Sequence, residues 1–494
     1  MSIRNGASIY FLGIGGTGMA TVAGLCAEAG YKVFGSDAGV YPPMSTMLAE
    51  LNIPVKTPLG PDNVRDLDAD LVVIANVMSR GNPELEAVLA MGVATTSFPQ
   101  LLGDLFLRHR TTCVVAGTHG KTTTSSLLSH VLHELGEDPS FVIGGIPRNF
   151  PRSFRLGTSP LFVIEGDEYD TAYFDKGPKF LHYHPTHLIL NNLEYDHADI
   201  YPNLEAITSQ FVKLSKLVKD PKCIIANVDD TGVSQVISQA ALTDKVTKVS
   251  TLGLDRTADV RVASHHAVPD GVGGQLWTAT IETSALGNFQ IQTQLSGKHN
   301  LANIAQVIGC LVSLQRRGDL KTPVNGSRIA AAIRSFLNVQ RRLDLLASAA
   351  GIDVYEDFAH HPTAVRLVIE GFKAVYPQKR LMIAFEPRSA SQRRNVFQKA
   401  FAEALSLADR VYIGECIQDQ RIPPEQRMNT SQLQQSIGTK AVCFPTNLEL
   451  EKSLLADLTP GDAVIFMSSG SFSGVQHRLA AHLHQNQKNG SLHF

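Results

Sequence analysis

The sequence predicts an α/β protein built from three successive blocks. Three observations carry that expectation. The chain has 494 residues, enough for about three domains at roughly 150 residues each. Short apolar runs alternate with helix-period segments, the pattern of parallel, doubly wound sheets. Two glycine-rich loops each stand between a β-type run and a helix. Hydrophobic residues make up 44% and charged residues 18%, which supplies several cores and excludes a disordered chain.

The expected domains span residues 1–109, 110–339 and 340–494. In the first, residues 8–14, 32–35 and 70–76 read as strands. Residues 17–29 read as a helix with Met19, Val22, Ala23 and Cys26 on one face. Residues 83–91 read as another, capped by Asn82 with Pro83 at the first position. In the second, residues 112–116, 161–164 and 187–190 are buried-strand candidates, and a helix runs from the second glycine loop through Leu135. Residues 260–267, 276–283 and 288–295 are β-rich, with a turn at 270–274, and predict an antiparallel insertion. A long helix follows over 299–317. In the third, strands are expected at 353–356, 380–385, 410–413 and 463–467, with helices at 362–375, 392–407 and 448–458. The polar tail after Gln485 is expected to fray.

Lys plus Arg is 44 and Asp plus Glu is 46, a formal net charge of −2. That balance excludes bulk charge as a basis for nucleic-acid binding. No apolar run reaches the roughly 18 residues of a membrane span, and the N-terminus lacks the pattern of a signal peptide. A cytoplasmic protein with no membrane partner is expected. Cys26, Cys113, Cys223, Cys310, Cys416 and Cys443 form no C-x-x-C pair, so reduced core thiols are expected rather than a zinc knuckle or disulfide scaffold.

The first loop, Gly13-Ile14-Gly15-Gly16-Thr17-Gly18, fits G-x-G-x-x-G and is followed by Asp37 at the end of the next strand. Glycines there let a diphosphate approach the backbone at a helix N-terminus. Taken alone, the loop suggests NAD and an oxidoreductase; any diphosphate-bearing ligand, or tight strand–helix packing alone, also satisfies it. The second loop, Gly117-Thr118-His119-Gly120-Lys121-Thr122 with Thr123 behind it, ends in the G-K-T of a P-loop. Its amides would cradle phosphates, Lys121 would reach the β- and γ-phosphates, and the Thr122 hydroxyl would face Mg²⁺. Val115 stands where a longer P-loop has its first glycine. Two phosphate loops in consecutive domains point to an ATP-dependent enzyme whose other substrate also carries a diphosphate, such as a nucleotide sugar.

Glu165-Gly166-Asp167-Glu168 follows a strand beside the P-loop strand, a place suited to holding Mg²⁺. His197, amid Glu194, Asp196 and Asp199, is a metal-ligand or phosphate-contact candidate, with a structural role as the alternative. Asn300 and Asn303 share a helix face that suits a purine edge, with capping as the alternative. Arg341 and Arg342, then Asp357, His360 and His361, open the third block and are candidates to close over a nucleotide.

In order, the motifs G-T-H-G-K-T-T-T, E-G-D-E-Y-D, N-N-L-E-Y-D-H-A-D, G-K-H-N-x-x-N, R-R-L-D and D-F-A-H-H-P-T resemble those of the Mur ligases, over essentially the whole chain. The resemblance implies a Rossmann-like first domain, a P-loop central domain and a Rossmann-like third domain. It implies ATP-dependent amide formation for peptidoglycan through an acyl phosphate. Segments 36–46, 80–83, 173–176, 385–389 and 467–474 resemble the branch that joins L-alanyl-γ-D-glutamyl-meso-diaminopimelate to UDP-N-acetylmuramate; the sibling branch adds L-alanine.

By this resemblance Lys121 would stabilise the γ-phosphate, and Thr122, Glu165 and His197 would arrange Mg²⁺, with Glu165 preferred over Glu168. Asn192, Asn300 and Asn303 would face adenine, and Arg342 and Asp357 would reach ATP phosphate and ribose. Gly13, Gly15, Gly16, Thr17, Gly18, Ser36, Asp37 and Arg80 would bind the UDP-sugar. Arg388, Ser389, His360 and His361 would serve the amine. Several family members carry a carbamylated lysine after the D-H motif; its absence here fits the two UDP-N-acetylmuramate branches, and Lys213 is not expected to replace it. Segments 108–111 and 338–342 are expected hinges for closure that shields an acyl phosphate from water.

Overall fold

The structure, a computed structural model, describes residues 3–253, 255–271 and 274–489. The first sheet is parallel and has Ser8–Leu12 at its centre. Lys32–Ser36 and Leu71–Ile74 flank it, with Val55–Lys56 and Thr95–Ser97 at the edges. Ile9, Tyr10, Phe11 and Leu12 are fully buried, as expected for a strand covered on both faces. Asn82 caps the helix Pro83–Ala90, its side chain accepting from Glu84 N at 3.0 Å and Leu85 N at 3.1 Å.

The central sheet has ten strands. Thr111–Ala116 lies between Leu161–Gly166 and His187–Leu190, all parallel. The sheet continues through Ile224–Asn227 and Thr247–Ser250. The expected antiparallel insertion is an extension of this same sheet. Val260–Pro269 pairs parallel with Thr247–Ser250, and Gln275–Thr283 and Gly287–Thr293 add antiparallel beyond it. Part of the turn at 270–274 lies outside the described residues. The third sheet orders Asp344–Ala349, Ile352–Asp357, Asp462–Met467, Arg380–Phe385, Arg410–Ile413 and Ala441–Cys443, with only the first pair antiparallel.

Several elements differ from expectation. The helix expected over 392–407 is Gln398–Leu405, after a 3₁₀ turn at Asn395–Phe397. The preceding loop is held otherwise: the Gln392 side chain accepts from Arg388 N and Ser389 N, at 3.0 and 2.9 Å. The last helix, Val475–Asn489, runs past the point where fraying was expected; residues 490–494 lie outside the described set. Helices Leu204–Leu217, Thr231–Gln239, Gly326–Arg334 and Thr430–Ile437 were not anticipated. All six cysteines are free thiols. Among the described residues no helix is long and apolar enough to cross a membrane.

The first and central domains share one apolar cluster, from Ile9 and Phe11 to Phe154 and Phe162. At their seam a Cβ at Gly24 would meet the Phe154 ring at 2.4 Å, and Thr21 Oγ1 lies 3.1 Å from Ser153 Oγ. The third domain has its own cores and meets the central domain through both apolar and polar contacts: Val375 joins the central apolar cluster and Phe397 packs 6.0 Å from Tyr195. Ser391 Oγ donates to Asp196 at 2.7 Å, and Thr363 Oγ1 to Glu194 at 2.6 Å.

Glu84 is a fully buried carboxylate under the first sheet. It accepts from Tyr10 OH at 2.6 Å, Gly60 N at 2.7 Å, Asn63 Nδ2 at 2.9 Å and the Ser36 hydroxyl. Glu84→Ala strands these donors and is expected to cost about 3 kcal/mol. Urea denaturation checks this; an unchanged midpoint contradicts it.

Candidate active site

The buried strand Thr111–Ala116 delivers the second glycine loop to the N-terminus of helix Lys121–Glu134. Glycine is required at two points. Gly117 and Gly120 have φ of 143° and 79°, where a side chain is strained. A Cβ would sit 2.9 Å from Asn192 O at Gly117 and 2.6 Å from Asn303 Oδ1 at Gly120. The loop is thereby clamped between residue 192 and the helix Lys298–Arg317.

Asn192 holds the loop from behind. Its Oδ1 accepts from His119 N at 2.7 Å, its Nδ2 donates to His119 O at 3.2 Å, and its carbonyl accepts from Thr118 N at 3.0 Å. This corrects the expected adenine contact, because both ends of the amide are engaged with the loop and Asn192 is absent from the cavity wall.

Lys121 Nζ donates to Gly117 O at 2.6 Å and to both oxygens of Glu168, at 3.0 and 2.9 Å. His197 Nε2 lies 2.9 Å from Glu168 Oε1. Glu168 is buried, and Tyr201 OH donates to its carbonyl at 2.6 Å. His197 has a φ of 55°, strain of the kind that collects at functional sites. Thr122 Oγ1 donates to Glu165 Oε2 at 3.2 Å, and Gly144 N donates to Glu165 Oε1 at 2.7 Å. Glu165 therefore faces the loop hydroxyl, and Glu168 faces the loop lysine. The acidic run made Glu168 visible in the sequence, but preference for Glu165 passed over it.

Charge follows from this packing. Burial works to lower Lys121, but Glu168 and Asp167 more than offset it and raise it. Burial works to raise Glu168, and Lys121 and His197 overcome it and lower it. His197 is raised: burial opposes its charge, and Glu168 prevails. Glu165 is raised because burial outweighs the Gly144 hydrogen bond and Lys121.

Lys121, Glu165, His197, Asn300, Asn303, Arg342, Asp357 and His360 line a single cavity of 380 Å³. Asn303 Nδ2 donates to Asn300 Oδ1 at 2.9 Å. Ala364, Leu367, Val368 and Phe372, from helix Pro362–Val375, form an apolar wall beside the two asparagines. Asp357 accepts from Leu343 N and Ala359 N, each at 2.7 Å. Burial pushes Asp357 up and Arg342 down.

The first glycine loop lies apart from this cavity. Gly13 N and Ile14 N donate to Ser36 O at 2.8 and 3.0 Å, and Gly15 N donates to Asp37 Oδ2 at 2.8 Å. Gly16 caps the helix that Thr17 and Gly18 begin. Arg80 is exposed and paired with Glu86 at 2.8 Å. Ser36 corrects an expectation: it is fully buried and its hydroxyl donates to Glu84, so it supports the loop rather than facing a ligand.

Among the expected amine residues, only His360 lines the cavity. His361 faces elsewhere, because it caps the helix Pro362–Val375 and bonds Tyr195 O at 3.2 Å. Arg388 is exposed, and Ser389 Oγ accepts from Gln392 N at 3.2 Å; neither is part of the cavity wall. Lys213 is exposed and donates to Gln210 at 3.2 Å.

Three family descriptions match in chain order. They are "Mur ligase family, catalytic domain" over residues 8–110, "Mur ligase middle domain" over 115–311 and "Mur ligase, glutamate ligase domain" over 341–470. An Escherichia coli K12 protein named UDP-N-acetylmuramate–L-alanyl-γ-D-glutamyl-meso-2,6-diaminoheptandioate ligase is 36% identical over 95% of this chain and 97% of its own length. A UDP-N-acetylmuramate–L-alanine ligase from Solidesulfovibrio magneticus is 29% identical over 94% of this chain and 95% of its own. The crystal structure of a murein peptide ligase from Psychrobacter arcticus superposes with a TM-score of 0.71 at 30% identity, covering 97% of this chain and 99% of that one.

Burial holds His360 and His361 down at about 4, whereas an exposed histidine titrates near 6.5. Both sit where the third domain meets the central one, so opening would release them. The closed form binds fewer protons, so its advantage is full above about pH 6.5 and is lost as pH falls toward about 4. Acidifying from about pH 7.5 to about pH 5 is expected to raise the radius of gyration in small-angle scattering. A constant radius contradicts this.

Proposed function

The chain belongs to the Mur ligase family, and from that membership we propose that it joins L-alanyl-γ-D-glutamyl-meso-diaminopimelate to UDP-N-acetylmuramate at the expense of ATP. The carrying observation is a pair of phosphate-type loops on two separate sheets, one of them opening onto the cavity that the third domain helps to wall. One loop suits the diphosphate of a nucleotide sugar and the other suits ATP. The 36% identity to the tripeptide ligase of Escherichia coli supports the choice of amine.

The reaction is written as two displacements. A muramate carboxylate oxygen attacks the γ-phosphorus, the β–γ bridge bond breaks, and ADP leaves. The peptide's neutral α-amine then attacks the acyl carbon, phosphate departs, the nitrogen loses its proton, and an amide remains. The protein contributes positioning and charge neutralisation more than covalent chemistry. Lys121, fixed by Glu168, presents its ammonium to the γ-phosphate. Asn303 and Asn300, tied to each other and through Asn300 Nδ2 to Ser296 O at 2.7 Å, edge the adenine end of the cavity with their remaining hydrogen-bonding capacity, with the apolar wall of helix Pro362–Val375 against the ring. Arg342 adds positive charge from the third domain once the cleft is closed.

The donor set fits a hard divalent cation. Thr122 Oγ1 and the Glu165 carboxylate lie 3.2 Å apart with Glu165 oriented by Gly144 N, and His197 with Glu168 provides a second set. Mg²⁺ held by these residues would supply positive charge that stabilises the transferring phosphoryl group.

Two results test the reading. Incubation with ATP, UDP-N-acetylmuramate and either the tripeptide or L-alanine is expected to release ADP and form the amide with the tripeptide. Strong preference for free L-alanine would transfer the chain to the sibling activity. Lys121→Ala is expected to abolish ligation while UDP-sugar binding, followed by calorimetry, stays within a few-fold. Loss of that binding contradicts the division of labour between the loops.

A further inference from the structure

At the seam between the central and third domains, three side chains converge that the ligation chemistry does not use as a set. His119 comes from the phosphate loop, Glu194 from the segment after strand His187–Leu190, and His361 from the start of helix Pro362–Val375. One ligand atom from each lies within 4.8 Å of the other two. Glu194 Oε2 is 3.5 Å from His119 Nε2 and 3.4 Å from His361 Nδ1. Ligand atoms about 2.05 Å from a tetrahedral zinc ion stand roughly 3.3 Å apart. The spacing around the carboxylate oxygen is thus already that of a coordination shell.

The orientation of each group agrees. His361 Nε2 bonds the carbonyl of Tyr195 at 3.2 Å, which puts the ring proton on Nε2. Its Nδ1 then accepts from the Thr363 backbone N–H at 3.3 Å, a long cap bond that a metal would replace, and lies 3.4 Å from Glu194 Oε2. A metal-bound imidazole is commonly fixed by a carbonyl on its far nitrogen in this way. Glu194 is held by the Thr363 hydroxyl at 2.6 Å. His119 Nε2 is buried without a well-formed hydrogen bond and has Glu194 Oε2 3.5 Å away as its charge partner, so this nitrogen too faces the carboxylate. The His119 and His361 rings lie 4.7 Å apart, and Phe397 packs 4.9 Å from His361. His119 lines the nucleotide cavity, whereas Glu194 and His361 stand outside its wall.

We propose that His119, Glu194 and His361 form a site for a divalent transition metal of the zinc class, completed by water, that staples the third domain to the phosphate loop. Two imidazoles beside a single carboxylate favour zinc-class ions over magnesium or calcium, whose ligands are mainly oxygen. Because the ligands come from both sides of the cleft, the site is whole only when the cleft is closed.

The test uses the full chain, zinc as probe and chelator competition as readout. His197→Asn removes the nitrogen ligand of the catalytic metal set and is expected to keep one tightly bound zinc. Adding Glu194→Gln or His361→Asn to that background is expected to weaken zinc binding at least about tenfold. Two alternative removals, each with its folding checked by circular dichroism, guard against one that fails to fold. Cobalt loaded into His197→Asn is expected to give the intense visible bands of four-coordinate geometry, lost with Glu194→Gln. The proposal is overturned if zinc affinity is unchanged in both double variants, if it disappears with His197→Asn alone, or if the wild-type chain takes up no stoichiometric zinc.

Discussion

One buried carboxylate, that of Glu168, holds both Lys121 and His197 at the phosphate site. Lys121 and His197 come from a loop and a turn on different strands, yet each meets the same side chain within 3.0 Å. Burial alone would favour a neutral lysine, because a desolvated ammonium is costly. The carboxylate reverses that preference and keeps a positive charge where a phosphate would arrive. It also positions the histidine, whose left-handed backbone is sustained by the surrounding contacts. Remove this pairing and the loop remains, but its charge is no longer fixed in place.

The seams between domains differ in kind. The first and central domains share one continuous apolar cluster. The third domain meets the central one through hydroxyl, carboxylate and imidazole contacts around the cleft, with Val375 in the central apolar cluster at its edge. Polar contacts of this kind exchange readily with water and allow the domain to part and return. Arg341 and Leu343, with φ of 62° and 45°, lie in the connecting segment between these bodies. In the proposed reaction, a nucleotide sugar held by the first two domains and a closing third domain would shelter a reactive acyl group from water.

Much of this was legible in the sequence because it is local. The strand, glycine turn and helix of each phosphate loop lie within about twenty residues of one another, and the buried strands announce themselves by composition. Asn82 and Pro83 mark a helix start that the structure keeps. What was not legible depends on distant partners. Ser36 turns inward because Glu84, 48 positions away, accepts its hydroxyl. His361 turns from the cavity because the Tyr195 carbonyl, 166 positions away, receives its ring. Asn192, expected to face adenine, is instead taken up by the phosphate loop. Glu165 and Glu168 could be ranked only once the loop showed which faces the hydroxyl and which the ammonium. The nicotinamide reading of the first loop failed for a similar reason: a glycine turn reports a diphosphate but not what is attached to it.

The central claim is that one nucleotide activates an acid carried by another through a direct bond between carboxylate oxygen and phosphorus. Labelling both muramate carboxylate oxygens with ¹⁸O and analysing the released phosphate by mass spectrometry tests this directly. The account predicts one labelled oxygen in each phosphate formed with amide product. Unlabelled phosphate accompanying amide formation would contradict it.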